Sequence, residues 1–301
     1  MGYVGPGLPK CEYFYPTRKV KTFDLEHHSP STQKNSVDTV ILYLHGGGFV
    51  FTTTGHFRDS LNRVVGCTGA HVIAPNFSRP PEHKFPVPRD ECVEIYRWLC
   101  ERFHNPSRQI FIAGDSAGGG LTVSVTAEIR DRGLARPAGC ILISPWVNYA
   151  DPCNGESMTK NVEFDYIVPD LSLEISKSYC DLSKNTLKEI SPCNLNLENF
   201  PPVCMFVGEC EILRDQQDEF AKRLRDAYSS SSSSFKLEYH LGKDMPHVYW
   251  LFAFTGMKEC VGVFDKISSF VKGHSGIDSA KDVTFLLDDQ IVGDVKVEEE
   301  D

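Results

Sequence analysis

The sequence predicts an α/β fold in which helices cover both faces of a mostly parallel central sheet. One observation behind this prediction is the regular alternation of short β-favouring apolar runs with amphipathic segments of helical spacing. Another is a G-x-S-x-G pattern, GDSAG at 114–118, that directly follows an apolar run and precedes a helical segment. The 301 residues suffice for one domain with a large core, which we assign to 1–275, followed by an acidic tail at 276–301.

The predicted elements follow one another along the chain. Strands are expected at 20–25 (a weak edge strand), 39–44, 71–77, 109–115, 140–146, 203–208 and 235–241. Helices are expected at 57–65, 89–103, 121–132, 212–228 and 248–271. The alternation is interrupted over 151–200, a polar stretch with several prolines, which we interpret as a small lid insertion. The serine run at 229–234 indicates a flexible surface loop.

Composition and charge argue against several classes of protein. The net charge of −10 disfavours nucleic-acid binding, which requires a basic surface. No apolar run approaches the roughly 18 residues of a membrane-spanning helix, and the N-terminus lacks the pattern of a signal peptide. The eleven cysteines are scattered without a C-x-x-C pair, which indicates reduced thiols and no metal site. We therefore expect a cytoplasmic protein without a transmembrane segment.

Ser116 is the predicted nucleophile. A sharp turn from strand to helix forces this residue into a strained conformation, and its close neighbours favour glycine. The turn holds the hydroxyl above the sheet edge, with the N-terminus of a helix behind it. Because a serine hydroxyl is a poor nucleophile at neutral pH, it needs a base, an acid that orients the base, and donors for the oxyanion.

His247 is the predicted base among the ten histidines. It follows the last predicted strand by a short loop and precedes an apolar helical segment. Loops at the carboxyl ends of parallel strands are where the partners of the nucleophile are expected. His240, by contrast, lies within a strand, where its ring packs or faces solvent.

The acid is expected in the loop after the strand at 203–208, because the chain order of this arrangement is nucleophile, acid, histidine. That loop offers Glu209, Glu211 and Asp215. All three are also ordinary carboxylates for the first turn of a helix. We prefer Glu211, and Asp215 and Glu209 stay open as alternatives.

The motif His45-Gly46-Gly47-Gly48 follows the strand at 39–44 and predicts an oxyanion-binding loop. Without Cβ atoms, the backbone N–H groups can approach the substrate oxygen closely, and the N–H of Ala117 completes the set. A phosphate-binding loop would need a following Lys-Ser/Thr, which is absent. His45 itself is expected to hold the loop by hydrogen bonds.

Taken together, these motifs resemble the hormone-sensitive-lipase-like branch of the α/β-hydrolase esterases. The resemblance extends from about Val40 to Val271 and includes HGGGF at 45–49, GDSAG at 114–118, SPW at 144–146 and GECEILRD at 208–215. It implies the α/β-hydrolase fold with a lid insertion. The family's acid is usually aspartate, so glutamate at this position adds a methylene that the loop must accommodate.

The resemblance also implies a role for each matching residue and no metal or organic cofactor. The implied catalytic residues are Ser116 as nucleophile, Glu211 as acid and His247 as base. The implied oxyanion donors are the backbone N–H groups of Gly47, Gly48 and Ala117.

The function expected from these residues is hydrolysis of small, short-chain carboxylic esters through an acyl-enzyme on Ser116. The expected partner is a small-molecule ester, and a homodimer is an open alternative to a monomer. Two other functions stay open: a non-catalytic small-ligand receptor on the same scaffold, and a lactone or amide hydrolase that uses the same triad. His247 argues against the receptor, because receptor relatives have lost the base.

Overall fold

The computed structural model describes residues 9–15, 20–23, 39–103, 105–151, 155–180, 187–230 and 237–275. Within these ranges eight strands form one sheet in the order β2-β1-β4-β3-β5-β6-β7-β8. The strands are β1 Cys11–Phe14, β2 Val20–Phe23, β3 Val40–Leu44, β4 His71–Pro75, β5 Ile110–Asp115, β6 Gly139–Ile143, β7 Val203–Gly208 and β8 Leu237–Gly242. Strands β3 to β8 are parallel, and β1 is antiparallel to both of its neighbours. The predicted mostly parallel α/β fold is confirmed.

Helices connect the parallel strands. They are α1 Arg58–Thr68, α2 Val87–Cys100, α3 Pro106–Gln109, α4 Ser116–Asp131, α5 Ser157–Lys160, α6 Pro169–Tyr179, α7 Leu187–Ile190, α8 Arg214–Ser230 and α9 Lys258–His274. Short 3-10 helices lie at Thr54–Phe57, Pro192–Asn194 and Tyr249–Thr255. Within the described ranges, no helix has both the length and the apolar composition that crossing a membrane requires.

Both faces of the central strands are buried, which explains their uninterrupted apolar sequences. In β3, Val40, Leu42 and Leu44 contribute to the hydrophobic cluster that also contains residues of α2 and α4. Ile41 and Tyr43 point to the opposite face and pack with residues of α1 and α9. The alternating side chains of one strand therefore supply two separate layers of core.

Three predictions about the elements need correction. β1 was not anticipated, because its sequence CEYF has no apolar run and its strand conformation depends on pairing with β2 and β4. The helix expected at 248–271 is interrupted: Gly256 adopts a φ of 77°, which ends the 3-10 helix before α9 begins. The helix expected at 121–132 begins earlier, at Ser116. Its first turns were not predicted because they contain glycines, which have low helix propensity.

The region 151–200 contains α5, α6, α7 and a 3-10 helix in its described parts. Helix α6 contacts the loop that follows β3, where the ring of Tyr179 stacks on Phe49 with 3.8 Å between centroids. The interpretation of this region as a lid stays a prediction. Residues 24–25 of the expected edge strand, 231–234 of the serine run and 276–301 of the tail lie outside the described residues.

Candidate active site

The carboxyl ends of the central parallel strands bring the predicted site residues to one edge of the sheet. β3 leads into His45, β5 into Ser116, β7 into the loop that carries Glu211, and β8 into the loop before His247. The register pairs Leu44 with Gly114, so the HGGG loop and the serine turn lie side by side. This edge is where parallel α/β sheets place their ligands.

Ser116 lies at the junction of β5 and α4 with a φ of 51°. This left-handed conformation is costly for a residue with a side chain and marks a backbone held by its surroundings. The turn tolerates only glycine at 118, where a Cβ atom would collide with the carbonyl oxygen of Leu44. The backbone thus fixes the position of the serine hydroxyl.

A continuous line of hydrogen bonds joins Ser116, His247 and Glu211. The Ser116 Oγ lies 2.8 Å from His247 Nε2, and His247 Nδ1 lies 2.8 Å from Glu211 Oε2. Because an ionised carboxylate can only accept, Nδ1 carries the proton and Nε2 accepts from the serine hydroxyl. His247 and Glu211 are both buried. The structure therefore brings the preferred acid to the imidazole.

The two alternative acids lie elsewhere. Asp215 Oδ2 accepts a hydrogen bond from the backbone N–H of Ser157 at 2.9 Å. Glu209 Oε2 accepts one from the backbone N–H of Asp244 at 3.0 Å. In this structure neither carboxylate contacts His247, so the geometry supports Glu211 alone.

Four donors converge on the Glu211 carboxylate. Its Oε1 accepts from the Ser144 hydroxyl at 2.6 Å and from the Gly208 N–H at 2.5 Å. Its Oε2 accepts from Gln217 Nε2 at 2.8 Å in addition to His247. The loop accommodates the longer glutamate side chain through these bonds, since each carboxylate oxygen accepts two hydrogen bonds.

Ser144 connects the acid to the residue that follows the base. Its hydroxyl donates to Glu211 and accepts from the backbone N–H of Val248 at 2.9 Å. Ser144 and Val248 have φ values of 48° and 50°, which is unusual for residues with side chains and especially for a β-branched one. The role of Ser144 was not predicted, although the SPW motif that contains it was recognised.

Burial and neighbouring carboxylates act in opposite directions on His247. Burial lowers the pKa of its imidazole, but the hydrogen bond and the charge of Glu211 raise it, as do the charges of Asp165 and Asp115. The net effect is a pKa above the ordinary value of a histidine. The cationic imidazolium is therefore stabilised at this position.

The backbone of the HGGG loop adopts conformations that favour glycine. Gly47 and Gly48 have φ values of 94° and 60°, and a Cβ atom at Gly47 would collide with the side chain of Thr52. Within the described ranges, the N–H groups of Gly47 and Gly48 have no hydrogen-bond acceptor. The N–H of Ala117 belongs to the first turn of α4, where helix geometry leaves the backbone N–H groups without an intrahelical acceptor.

Two buried side chains hold the HGGG loop. Asp115 Oδ1 accepts from the Gly46 N–H at 2.8 Å and from the Tyr43 hydroxyl. His45 Nδ1 donates to the Gly46 carbonyl at 2.9 Å, and its ring stacks on Phe77 with 4.5 Å between centroids. Burial lowers the pKa of His45 to about 4, so its ring is neutral near pH 7.

Asp165 is a site residue that the sequence did not reveal. Its Oδ1 accepts from the His247 backbone N–H at 3.1 Å, and its Oδ2 accepts from the Ile212 N–H at 2.8 Å. The next residue, Tyr166, places its ring edge against the His247 imidazole, with 6.0 Å between centroids. An isolated aspartate in a polar stretch is indistinguishable from a solvated one without the fold.

One group of possible metal ligands occurs among the described residues, away from the triad. Ligand atoms of Cys204, Glu238 and His240 lie within 4.8 Å of one another on β7 and β8. The positive charge of Lys266 acts on both Cys204 and His240, which opposes the binding of a cation there. The described cysteines are all free thiols.

Comparison with known proteins gives one family and several relatives. The sequence pattern of a family described as alpha/beta hydrolase fold matches residues 41–251. An acetyl-hydrolase of Streptomyces hygroscopicus is 34% identical over 176 residues, which cover 58% of this chain and 58% of that protein. An ethyl acetate hydrolase of Pseudomonas putida is 26% identical over 208 residues, which cover 67% of this chain and 64% of that protein. Both alignments span less than two thirds of the relative's own length.

A solved structure resembles this chain over most of its length. It is an esterase from the bacterial hormone-sensitive lipase family, with a TM-score of 0.72 and 28% sequence identity. The superposition covers 90% of this chain and 87% of the other.

Proposed function

The chain belongs to the alpha/beta-hydrolase fold family, which matches residues 41–251, and from this premise we propose that it hydrolyses small carboxylic esters through Ser116. The resemblance to hormone-sensitive-lipase-like esterases is confirmed by its solved relative. The observation that carries the proposal is the unbroken line of hydrogen bonds from the Ser116 hydroxyl through His247 to Glu211. Such a line is what activates a serine hydroxyl at neutral pH.

In the acylation step, the Ser116 Oγ forms a bond to the carbonyl carbon of the ester while its proton moves to His247 Nε2. The carbonyl oxygen becomes an oxyanion, which accepts hydrogen bonds from the N–H groups of Gly47, Gly48 and Ala117. The imidazolium that forms is stabilised by the Glu211 carboxylate. Cleavage of the C–O bond then releases the alcohol, which receives the proton from Nε2.

In the deacylation step, water takes the place of the alcohol. Nε2 of His247 accepts a proton from water as the water oxygen attacks the acyl carbon. The same N–H groups hold the second oxyanion. Its collapse breaks the bond to Ser116 Oγ, and the proton on Nε2 returns to the serine, which frees the carboxylic acid.

A small acyl group is supported by the surroundings of the oxyanion loop and by the relatives. Ile175 of α6 lies against Gly48, where a Cβ atom would be 3.0 Å from its Cδ1. Tyr179 of the same helix stacks on Phe49. Helix α6 therefore forms a wall close to the predicted oxyanion donors, and two relatives are named for hydrolysis of acetyl groups and of ethyl acetate.

The test is hydrolysis of a p-nitrophenyl ester series from acetate to long-chain acyl groups, measured with the wild type and Ser116→Ala. We expect the highest kcat/KM for the short acyl chains and a loss in kcat of about 10⁶-fold, or down to background, in the variant. Ser269→Ala, an exposed serine of α9, is the matched control and should keep full activity.

Two outcomes of this test would contradict the proposal. Binding of small ligands without any turnover by the wild type would indicate a receptor instead. Activity that survives Ser116→Ala would exclude the serine mechanism.

A matched p-nitroanilide and a γ-lactone, assayed in parallel, distinguish an esterase from an amide or lactone hydrolase with the same triad.

A further inference from the structure

Residues 155–166 of the insertion run along the loop that carries the acid, 209–213, and we call them the strap. Three polar residues of the strap recur every fourth position: Ser157, Asn161 and Asp165. Each of them makes a hydrogen bond to the backbone of the acid loop. Such spacing is usually read as one solvated face of a helix, but here it marks a line of attachment.

The first two attachments hold the carbonyl groups of the acid loop. The Ser157 hydroxyl donates to the carbonyl of Ile212 at 2.8 Å. The Asn161 side-chain amide donates to the carbonyl of Glu211 at 2.8 Å and to that of Glu209 at 3.2 Å. The backbone around the acid is therefore tied to the insertion and not only to its own strand.

The third attachment reaches the base as well as the acid loop. Asp165 receives the N–H of Ile212 on one oxygen and the N–H of His247 on the other. Both oxygens are thus used by backbone donors from two separate loops. An amide oxygen in place of this carboxylate could satisfy only one of them, because the second position would be an NH₂ donor.

The charged and titratable groups that face His247 come from three directions. Glu211 approaches from the acid loop, Asp115 from the end of β5, and Asp165 from the strap together with the phenol of Tyr166. The carboxylates favour the cationic imidazolium. Tyr166 adds no charge near neutral pH, because a phenol is uncharged well below its ordinary pKa of about 10.

We propose that Asp165 is a positioning residue for the general base, through which the insertion fixes the place of His247 and sets a further carboxylate beside it. The inference rests on the proposed function, since it assigns a role relative to His247 acting on Ser116. It gives the insertion a part in the chemistry, in addition to any part in enclosing the substrate.

The deciding variant is Asp165→Asn, which keeps the shape of the side chain but removes the charge and one acceptor. We expect kcat on p-nitrophenyl acetate to fall by about 10- to 100-fold, as for a small misplacement of a reacting group, with KM nearly unchanged. Loss of a neighbouring negative charge should also move the acid limb of the kcat/KM pH profile down by roughly half a unit, less than the 1–3 units of a directly paired ion.

Two further variants separate positioning from simple damage to the fold. Glu163→Gln removes a carboxylate from an exposed position of the same strap and should keep the wild-type kcat and pH profile. Asp165→Glu retains the charge on a longer side chain, so the acid limb should stay near its wild-type position while kcat recovers in part. Thermal unfolding of each variant shows whether it is folded at the assay temperature.

Unchanged kcat and pH profile in a folded Asp165→Asn would overturn the inference. A lower kcat with an acid limb that stays in place would overturn it too, because a purely structural role predicts that result. Neither outcome touches the proposed function if the wild type is active and Ser116→Ala is not. Absence of ester hydrolysis in the wild type would instead defeat the proposed function itself.

Discussion

The two sides of the candidate site are built in different ways. On the nucleophile side, the ends of the adjacent strands β3 and β5 place the HGGG loop and Ser116 together through backbone conformation and glycines. On the base side, Glu211 and His247 belong to separate loops. Backbone hydrogen bonds join these loops, and the side chains of Ser144 and Asp165 link them further. The base side therefore depends more than the nucleophile side on individual polar side-chain atoms.

This difference predicts unequal sensitivity to mutation. A backbone amide keeps its position when a nearby side chain is changed, provided that the chain conformation persists. A carboxylate held by four donors loses its orientation when those donors are removed one by one. Isosteric changes should therefore cost much on the base side and little on the nucleophile side.

The largest effect in this comparison is expected at the acid. Glu211→Ala removes the group that orients the His247 tautomer and stabilises its cation, so kcat should fall by about 10³- to 10⁴-fold. Asp215→Ala is the matched control, because its carboxylate belongs to the same region but binds the Ser157 backbone. We expect less than about a tenfold loss there. The measurement is kcat/KM on p-nitrophenyl acetate, and the reverse order would reassign the acid to Asp215.

A smaller effect is expected from Ser144→Ala. The change removes a donor to Glu211 and leaves the N–H of Val248 without its acceptor, which should lower kcat by about 10- to 100-fold. Ser268→Ala is a suitable control, since this buried serine also makes a hydrogen bond, to the Cys67 carbonyl, but lies on α9. Both variants should lose stability, and only Ser144→Ala should lose activity. Equal kcat values for the two would show that Ser144 does not act through the acid.

The same contrast explains what could be predicted from the sequence. The nucleophile side has local signals, because a strained turn and a close backbone approach need glycines at fixed positions beside Ser116 and in the HGGG loop. The central strands could also be predicted from the sequence, since burial on both faces makes them continuously apolar. The sequence signals of the glycine-rich turns and of the central strands are local, because each lies within a few consecutive residues.

Only part of the base side could be predicted from the sequence. His247 and Glu211 were found from their order after strands, but the choice between Glu211 and Asp215 depends on where each side chain points in three dimensions. Ser144 was recognised only as part of the SPW motif, without its role, and Asp165 gave no signal of its own, because an aspartate in a polar loop is common on surfaces. Strand β1 was not predicted for a related reason, because its strand conformation depends on pairing with β2 and β4 and not on its own sequence.

The smallest effect on activity is expected from Asp115→Asn on the nucleophile side. The hydrogen bonds that Asp115 receives from the Gly46 N–H and from the Tyr43 hydroxyl both end on Oδ1. An asparagine amide oxygen can accept both, so the HGGG loop should stay in place and kcat at pH 8 should change by less than about threefold. A fall in kcat of more than a hundredfold on p-nitrophenyl acetate would show that the position of the loop depends on the charge of Asp115. The nucleophile side would then be as sensitive to isosteric changes as the base side.

The charge of Asp115 should be visible in stability instead. Burial raises the pKa of this carboxyl to about 6, against the opposing effects of its hydrogen bonds and of the charge of His247. Because the folded pKa lies above the unfolded one, the group stabilises the fold below about pH 4, and this contribution is lost as the pH rises through about 6, for a change of up to about 3 kcal/mol. Urea unfolding at pH 4 and pH 8 should therefore show Asp115→Asn gaining stability relative to the wild type at the higher pH. The exposed Asp131→Asn should show no such gain. If the difference in unfolding free energy between Asp115→Asn and the wild type is the same at both pH values, the pKa of Asp115 does not differ between the folded and unfolded states, and the prediction is wrong.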